Sequence, residues 1–331
     1  MKDIIEILPV LQEPKKIFIT MHHKPDGDAL GSTLGLYHYF LQQGHQPTVV
    51  SPSEVPDFLM WLPGIDTVLN YESEPKQCAK ILQEADLIFC LDFSRLDRIK
   101  TMEELLRNAT QPLVLIDHHL LPETEAFAYG MSEPSKSSTC EMVYDFIKLS
   151  GGEKYISNEV SQCLYTGVMT DTGSFRFPIT TAAVHEMLAD LKRRGLEHAV
   201  IHQHIYDSWS AERMRFLGYV LYQKMEIYPK QKIGIIALSQ EDQQKFKIAT
   251  GDTEGMVNYP LSIEDVNMSV LLTEKKDEVR MSFRSKGDID VSTFAGTYFN
   301  GGGHFNAAGG RSKVSLAETL TRLKELLNIN Q

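Results

Sequence analysis

Cysteine and tryptophan are scarce in this chain, with four of the first and two of the second among 331 residues. Cys78, Cys90, Cys140 and Cys163 are scattered with no Cys-x-x-Cys, which argues against a zinc knuckle and against a disulfide framework. Cys90 and Cys163 lie in apolar stretches and read as small buried hydrophobes. Trp61 and Trp209 read as packing residues rather than platforms for bases. No apolar run approaches the roughly 18 residues of a membrane span. The opening Met1-Lys-Asp-Ile-Ile-Glu6 lacks a basic-then-apolar secretory pattern. A cytoplasmic protein with no membrane attachment is expected. Positive charge is also short, since 33 Lys and Arg face 44 Asp and Glu for a net charge of −11. That argues against a protein that coats long nucleic acid, which needs a basic stripe. A small anionic substrate stays compatible, because divalent cations and a few local Arg and Lys reverse the sign of one pocket.

What the chain does have is strand-helix alternation. Apolar runs at 16–21, 46–51, 86–92 and 112–117 are nearly continuous and separated by helical stretches at 28–43, 75–85 and 102–108, with a Pro-rich excursion around Pro52, Pro56 and Pro63. Such a pattern predicts a buried parallel sheet covered by helices. Helices follow at 138–149, 158–170, 181–194 and 197–206. Another, at 211–223, carries Met214, Leu217, Val220 and Leu221 on one face and reads as a bridge. From residue 232 the texture changes to a strand at 233–238 and a hairpin of 267–273 with 278–284. A helix at 291–299, a Gly-rich loop and a last helix at 315–327 complete a smaller α+β region. The expected domains are therefore 1–207, a helical linker 208–230, and 231–331.

Three of the first strands end in acids or imidazoles. His22-His23-Lys24-Pro25-Asp26-Gly27-Asp28 follows the first strand, Asp92 the third, and Asp117-His118-His119 the fourth. An open parallel sheet places its site at those ends, and carboxylates with neutral imidazoles suit manganese, magnesium or zinc. Pro25 makes the first segment a loop, and Gly27 lets Asp26 and Asp28 aim at neighbouring points. Two carboxylates so close repel unless cations lie between them. Asp28 as a helix N-cap, Asp26-Gly27 as a simple turn, and Asp92 as a strand terminator are the bland alternatives. Asp171, in Val168-Met-Thr-Asp171-Thr-Gly173, is a fourth candidate. His198, His202 and His204 form a separate cluster that reads as a surface helix, and Arg95 and Arg98 read equally well as solvated residues or substrate contacts.

In this order the segments resemble the motif series of the DHH phosphoesterase superfamily: His-x-x-Pro-Asp-x-Asp, a lone Asp, Asp-His-His and Asp-Thr-Gly. Gly301-Gly-Gly-His304-Phe-Asn-Ala-Ala-Gly-Gly310 resembles the signature of the DHH-associated C-terminal domain. Size and layout are most similar to the branch of bacterial oligoribonuclease/pAp phosphatase and exopolyphosphatase-related proteins. The resemblance implies two Mn²⁺ ions, with Mg²⁺ or another divalent metal as substitutes. His22, Asp26 and Asp92 would hold one, and Asp28, Asp92, His118 and Asp171 the other. Asp117 would orient a neighbouring imidazole and His119 would face the phosphate. Arg284, Gly302, Gly303 and His304 would bind substrate, the glycines through backbone N–H groups and Arg284 through its fork.

The function expected on these grounds is hydrolysis of short RNA from an end to 5′-mononucleotides, or of 3′-phosphoadenosine-5′-phosphate (pAp) to AMP. A homodimer is the candidate assembly. The alternatives are a linear or cyclic dinucleotide phosphodiesterase, a manganese pyrophosphatase or exopolyphosphatase, and a non-catalytic nucleotide sensor.

Overall fold

The structure is a computed structural model that describes residues 1–248 and 251–329. The chain divides into two compact units, Met1–Ser208 and Trp209–Gln331. The first runs β1 (Lys2–Asp3), β2 (Lys16–Thr20), α1 (Gly27–Gln42), β3 (Gln46–Ser51), β4 (Leu69–Asn70), α2 (Pro75–Glu84), β5 (Leu87–Leu91), α3 (Glu103–Arg107), β6 (Leu113–Asp117), β7 (Tyr129–Ser132), α4 (Thr139–Leu149), α5 (Asn158–Asp171), α6 (Ala182–Arg193) and α7 (His198–Tyr206).

Its sheet has seven strands in the order β1-β7-β6-β5-β2-β3-β4, all parallel. Every residue of β5 and β6 is buried, as the continuous apolar runs require of a sheet covered on both faces. Ile17, Ile19, Phe89, Leu91, Val114 and Ile116 enter the core shared with α1, α4 and α5. Phe18, Ile88, Cys90 and Leu115 enter the opposite core with Cys78 and Leu82 of α2. From β2 the chain builds outward through β3 and β4, and from β5 it builds the other way through β6 and β7. The neighbours β2 and β5 therefore flank a topological switch point, where an open sheet leaves a crevice.

Helices α1 and α5 approach backbone to backbone. A Cβ on Gly31 would lie 2.5 Å from the Cys163 carbonyl oxygen, and one on Gly35 would lie 2.7 Å from Leu164 Cδ2. Only glycine fits such a crossing. The ends of α1 and α5 are thereby brought together beside the sheet.

The second unit runs α8 (Ala211–Tyr219), β8 (Met225–Tyr228), β9 (Ile233–Leu238), α9 (Gln240–Lys245), β10 (Met268–Glu274), β11 (Val279–Ser285), α10 (Val291–Phe299), β12 (Gly302–His304), β13 (Ala307–Ser312) and α11 (Leu316–Leu326). Its six strands lie in the order β12-β13-β11-β10-β9-β8. Val270, Leu272, Met281, Phe283, Val291, Phe299 and Leu323 fill the core on the α10 and α11 side. Phe216, Leu217, Ile236 and Leu271 fill a second core on the other face, under α8.

The helix read at 211–223 is present, α-helical over Ala211–Tyr219 and widening into a π-helical turn over Val220–Lys224 that feeds β8. One expectation is corrected. The Gly-rich loop is a β-hairpin, with Gly302 opposite Gly309, Gly303 opposite Ala308 and His304 opposite Ala307. Glycine is needed there for close approach rather than for mobility. Gly303 has φ +148°, and a Cβ on it would lie 2.5 Å from the Ala307 carbonyl oxygen.

Candidate metal centre

The ends of β2, β5 and β6 deliver the expected acids and imidazoles to the switch point. His22 Nε2 lies 3.5 Å from Asp92 Oδ2 and 3.8 Å from Asp26 Oδ2. His118 Nε2 lies 3.6 Å from Asp92 Oδ1, 3.6 Å from Asp171 Oδ2 and 3.8 Å from Asp28 Oδ2. Three overlapping donor triplets form within the first unit, His22–Asp26–Asp92, Asp28–Asp92–His118 and Asp92–Asp117–His119, each with its ligand atoms within 4.8 Å of one another. Asp92 belongs to all three.

The loop geometry behind this is specific. Asp26 caps α1, its Oδ1 accepting from the N–H groups of Asp28 and Ala29 at 3.0 Å each, which leaves Oδ2 toward His22. Cap and candidate ligand are thus the same residue, one oxygen for each task. Asp28 sits in the first turn of α1. Asp92 is 2% exposed and has φ +63°, a left-handed conformation that costs a non-glycine residue about 1–3 kcal/mol and clusters at functional sites.

The imidazole tautomers follow from their second nitrogens. His118 Nδ1 lies 3.3 Å from the Lys136 carbonyl oxygen and His22 Nδ1 lies 3.1 Å from that of His23. A carbonyl only accepts, so each Nδ1 carries the hydrogen. The Nε2 lone pairs of both rings then face carboxylate oxygens, an arrangement that requires a positive charge in between. A proton serves in part: burial works to lower the His118 pKa, yet the carboxylates of Asp171, Asp28, Asp92 and Asp117 push it up to about 9. Burial, with Asp28 and Asp26 nearby, raises the Asp92 carboxyl well above its usual range. The donors are imidazole nitrogens and carboxylate oxygens, and the set fits a divalent cation.

Asp117, wholly buried, binds His119 twice, accepting from its backbone N–H at 3.1 Å and contacting its Nδ1 at 2.8 Å. The imidazole that Asp117 orients is therefore that of His119.

Sequence reading missed the N-terminus of α4. Asp28 accepts from the N–H of Thr139 at 2.6 Å and of Cys140 at 2.9 Å, and the Thr139 hydroxyl donates to Asp92 Oδ1 at 2.9 Å. A carboxylate at a helix N-terminus is favoured by the unpaired N–H groups and the dipole. The available signal was Ser138 followed by Glu141 ahead of an apolar run. Ser138 does cap α4, but nothing local says which carboxylate the helix addresses.

The remaining candidates lie elsewhere. His202 meets the Tyr165 hydroxyl at 3.1 Å, His198 meets Lys192 Nζ at 3.1 Å, and His204 stacks on Trp61 with centroids 4.4 Å apart. His198 and His202 pack against each other and against the Tyr165 ring, and among the described residues the three form no ligand cluster. Arg95 pairs with Asp97 at 3.5 Å. Trp209 packs under the Arg213 guanidinium at 4.0 Å. All four cysteines are buried thiols. In the second unit, Arg284 and His304 both pair with Ala307, from its two sides. They occupy one row and one face of the sheet. Gly302 and Gly303 lie in edge strand β12 rather than in a flexible loop. Among the described residues no helix is long and apolar enough to cross a membrane.

Comparison with known proteins agrees with this architecture. Residues 16–168 match the DHH family, N-terminal domain, and residues 219–329 match the DHHA1 domain. A Streptococcus mutans protein named probable bifunctional oligoribonuclease and PAP phosphatase NrnA is 29% identical, over 98% of this chain and 97% of its own. A Thermus thermophilus protein named bifunctional oligoribonuclease and PAP phosphatase NrnA is 30% identical, over 98% and 92%. The crystal structure of an exopolyphosphatase-related protein from Bacteroides fragilis superposes with a TM-score of 0.93 at 37% identity, covering 98% of this chain and 95% of that one. With donor set, switch-point sheet and both domain matches in agreement, the chain belongs to the DHH family of phosphoesterases.

Proposed function

We propose that this chain is a two-metal phosphoesterase that hydrolyses short oligoribonucleotides from an end to 5′-mononucleotides, and pAp to AMP. The observation that carries the reading is Asp92, the donor common to all three triplets at the switch point. The names of the relatives from Streptococcus mutans and Thermus thermophilus support the substrate class.

In this reading His22, Asp26 and Asp92 hold one Mn²⁺, and Asp28, Asp92, His118 and Asp171 hold the other. Bound there, such ions supply Lewis-acid stabilisation of phosphoryl charge and acidify a nucleophilic water. The chain's own groups do the rest. The N–H groups of Thr139 and Cys140 fix Asp28, and the Thr139 hydroxyl fixes Asp92, so neither carboxylate needs to reorganise during reaction. Asp117 accepts the Nδ1 hydrogen of His119, which leaves Nε2 to face the phosphate. Arg284, Gly302, Gly303 and His304 take a further phosphate of the substrate. Residues 1–207 would act as the catalytic domain, 208–230 as linker and 231–331 as substrate domain.

The test is Mn²⁺-supported turnover across pAp, di- to pentaribonucleotides, cyclic dinucleotides, pyrophosphate and polyphosphate. Hydrolysis of pAp and short RNA is expected; silence on both overturns the assignment.

A further inference from the structure

On the face of the second unit's sheet that α8 covers over Ile236 and Leu271, the outer strands β11, β13 and β12 carry more positive charge than the Arg284–His304 row accounts for. Register lays out three rows there. Arg284, Ala307 and His304 form the first, Ser282, Gly309 and Gly302 the second, and Arg280 with Arg311 the third. Opposed residues share a face, so these side chains all point away from the core that receives Val279, Met281, Phe283 and Ala308. The middle row is a bare floor. A Cβ on Gly302 would meet nothing within 4 Å, and one on Gly309 would come only to 3.8 Å of the Met281 carbonyl oxygen.

Arg280 and Arg311 are exposed and directly opposite each other. Like charges so placed on a sheet cost stability. Glu278 relieves one of them, at 2.9 Å from Arg280 Nε. Two arginines edging a glycine floor on a chain of net charge −11 are a local departure that fits an anion with more than one charged group. The Arg280 and Arg284 rows lie four residues apart on β11, about 13 Å at roughly 3.3 Å per residue. No single phosphate covers that span, whereas a single-stranded oligonucleotide laid along the floor does.

We propose that the Arg280–Arg311 row is a second phosphate-gripping position that selects oligoribonucleotides over mononucleotides, gripping a phosphodiester beyond the one held at the Arg284–His304 row. A bisphosphonucleotide such as pAp uses the first row alone. The assignment rests on the phosphoesterase reading above.

The experiment uses the full chain in two assays. In EDTA, anisotropy of a 5′-fluorescein pentaribonucleotide is followed against salt for the wild type, Arg311→Ala and Arg311→Lys. In Mn²⁺, kcat and KM are measured on pAp and on the unlabelled pentanucleotide. Arg311→Ala is expected to weaken pentanucleotide binding about tenfold, the worth of one charge-assisted contact. It should also flatten the plot of log affinity against log salt by about 0.7, the loss of one contact to a single strand. The lysine variant should keep the slope. KM for the pentanucleotide should rise with kcat held, and kcat/KM on pAp should move less than twofold. An unchanged slope, or an equal loss on pAp, overturns the row. If the wild type binds the pentanucleotide yet hydrolyses neither substrate, the phosphoesterase reading fails while the slope still judges the row. If it hydrolyses pAp but binds no pentanucleotide, the row fails and that reading stands.

Discussion

Thr139→Val isolates the contribution of the α4 N-terminus to the centre. Valine keeps the branched shape at the first position of α4 but replaces the hydroxyl that donates to Asp92 Oδ1 at 2.9 Å. The backbone N–H of residue 139, which binds Asp28 at 2.6 Å, is untouched, so the substitution removes one interaction from a buried carboxylate. A hydrogen bond to a charged group is worth about 1.5–3 kcal/mol, and removing a group that orients a metal ligand costs about 10–100-fold in affinity or activity. Calorimetric titration of Mn²⁺ into the chelator-stripped protein should therefore show retention weakened by one to two orders of magnitude at an unchanged fold. Thr139→Ser, which restores the hydroxyl, should recover most of it. A valine variant within twofold of wild type, or a serine variant as poor as valine, would refute the claim that this hydroxyl holds Asp92 in place.

Four further substitutions read other parts of the molecule. Asp92→Asn removes a charge that burial, Asp28 and Asp26 all disfavour; metal-free melting should rise while turnover collapses, and retained turnover would remove the centre's proposed shared ligand. Gly31→Ala puts a methyl group 2.5 Å from the Cys163 carbonyl oxygen, and overpacking of about 1–3 kcal/mol should lower the melting temperature by several degrees. Gly218→Ala in α8 meets nothing within 4 Å and should instead stabilise by about 0.5–1 kcal/mol, so matched losses at both sites would discredit the packing argument. Asp242 is buried, and although burial opposes it, Lys224, Tyr219 and Ser239 hold its carboxyl down at about 2 from 3.8. Because the folded value is the lower one, its contribution of about 2 kcal/mol is complete above pH 3.8 and fades as pH falls toward 2; denaturant melts of Asp242→Asn should converge with wild type across that window and diverge above it.

Much of the first unit's fold was legible because its strands are buried on both faces. β2, β3, β5 and β6 show as largely apolar runs, and β2, β5 and β6 lead into His22, Asp92 and Asp117-His118-His119. β1 and β4 are two residues each, and β7 is four residues around Gly130, too short for any period to register. The β12–β13 hairpin failed differently. Its run Ala307-Ala-Gly-Gly-Arg-Ser312 has the composition of a loop, yet it is a strand, and Gly310 is there because two phenylalanine side chains pack against it. A Cβ on Gly310 would sit 3.0 Å from Phe299 Cβ and 3.1 Å from Phe283 Cε2. Small residues tolerated by packing and small residues demanded by flexibility look alike in one sequence.

The same division runs through the metal centre. Which residues could donate was readable, because parallel strands expose their carboxyl ends at one edge and the acids and imidazoles sit there. What holds those donors still was not readable, because Thr139 reaches Asp28 across 111 residues of chain and Gly167 of α5 packs where a Cβ would run into Cys140 and lie 2.8 Å from Asp28 Oδ1. Donor identity is a property of strand ends, which local pattern encodes. Donor rigidity is a property of helix contacts, which only the assembled fold creates. A DHH motif grafted onto a sheet without the α4 terminus and the α1–α5 glycine crossing should accordingly keep its ligands and lose its affinity.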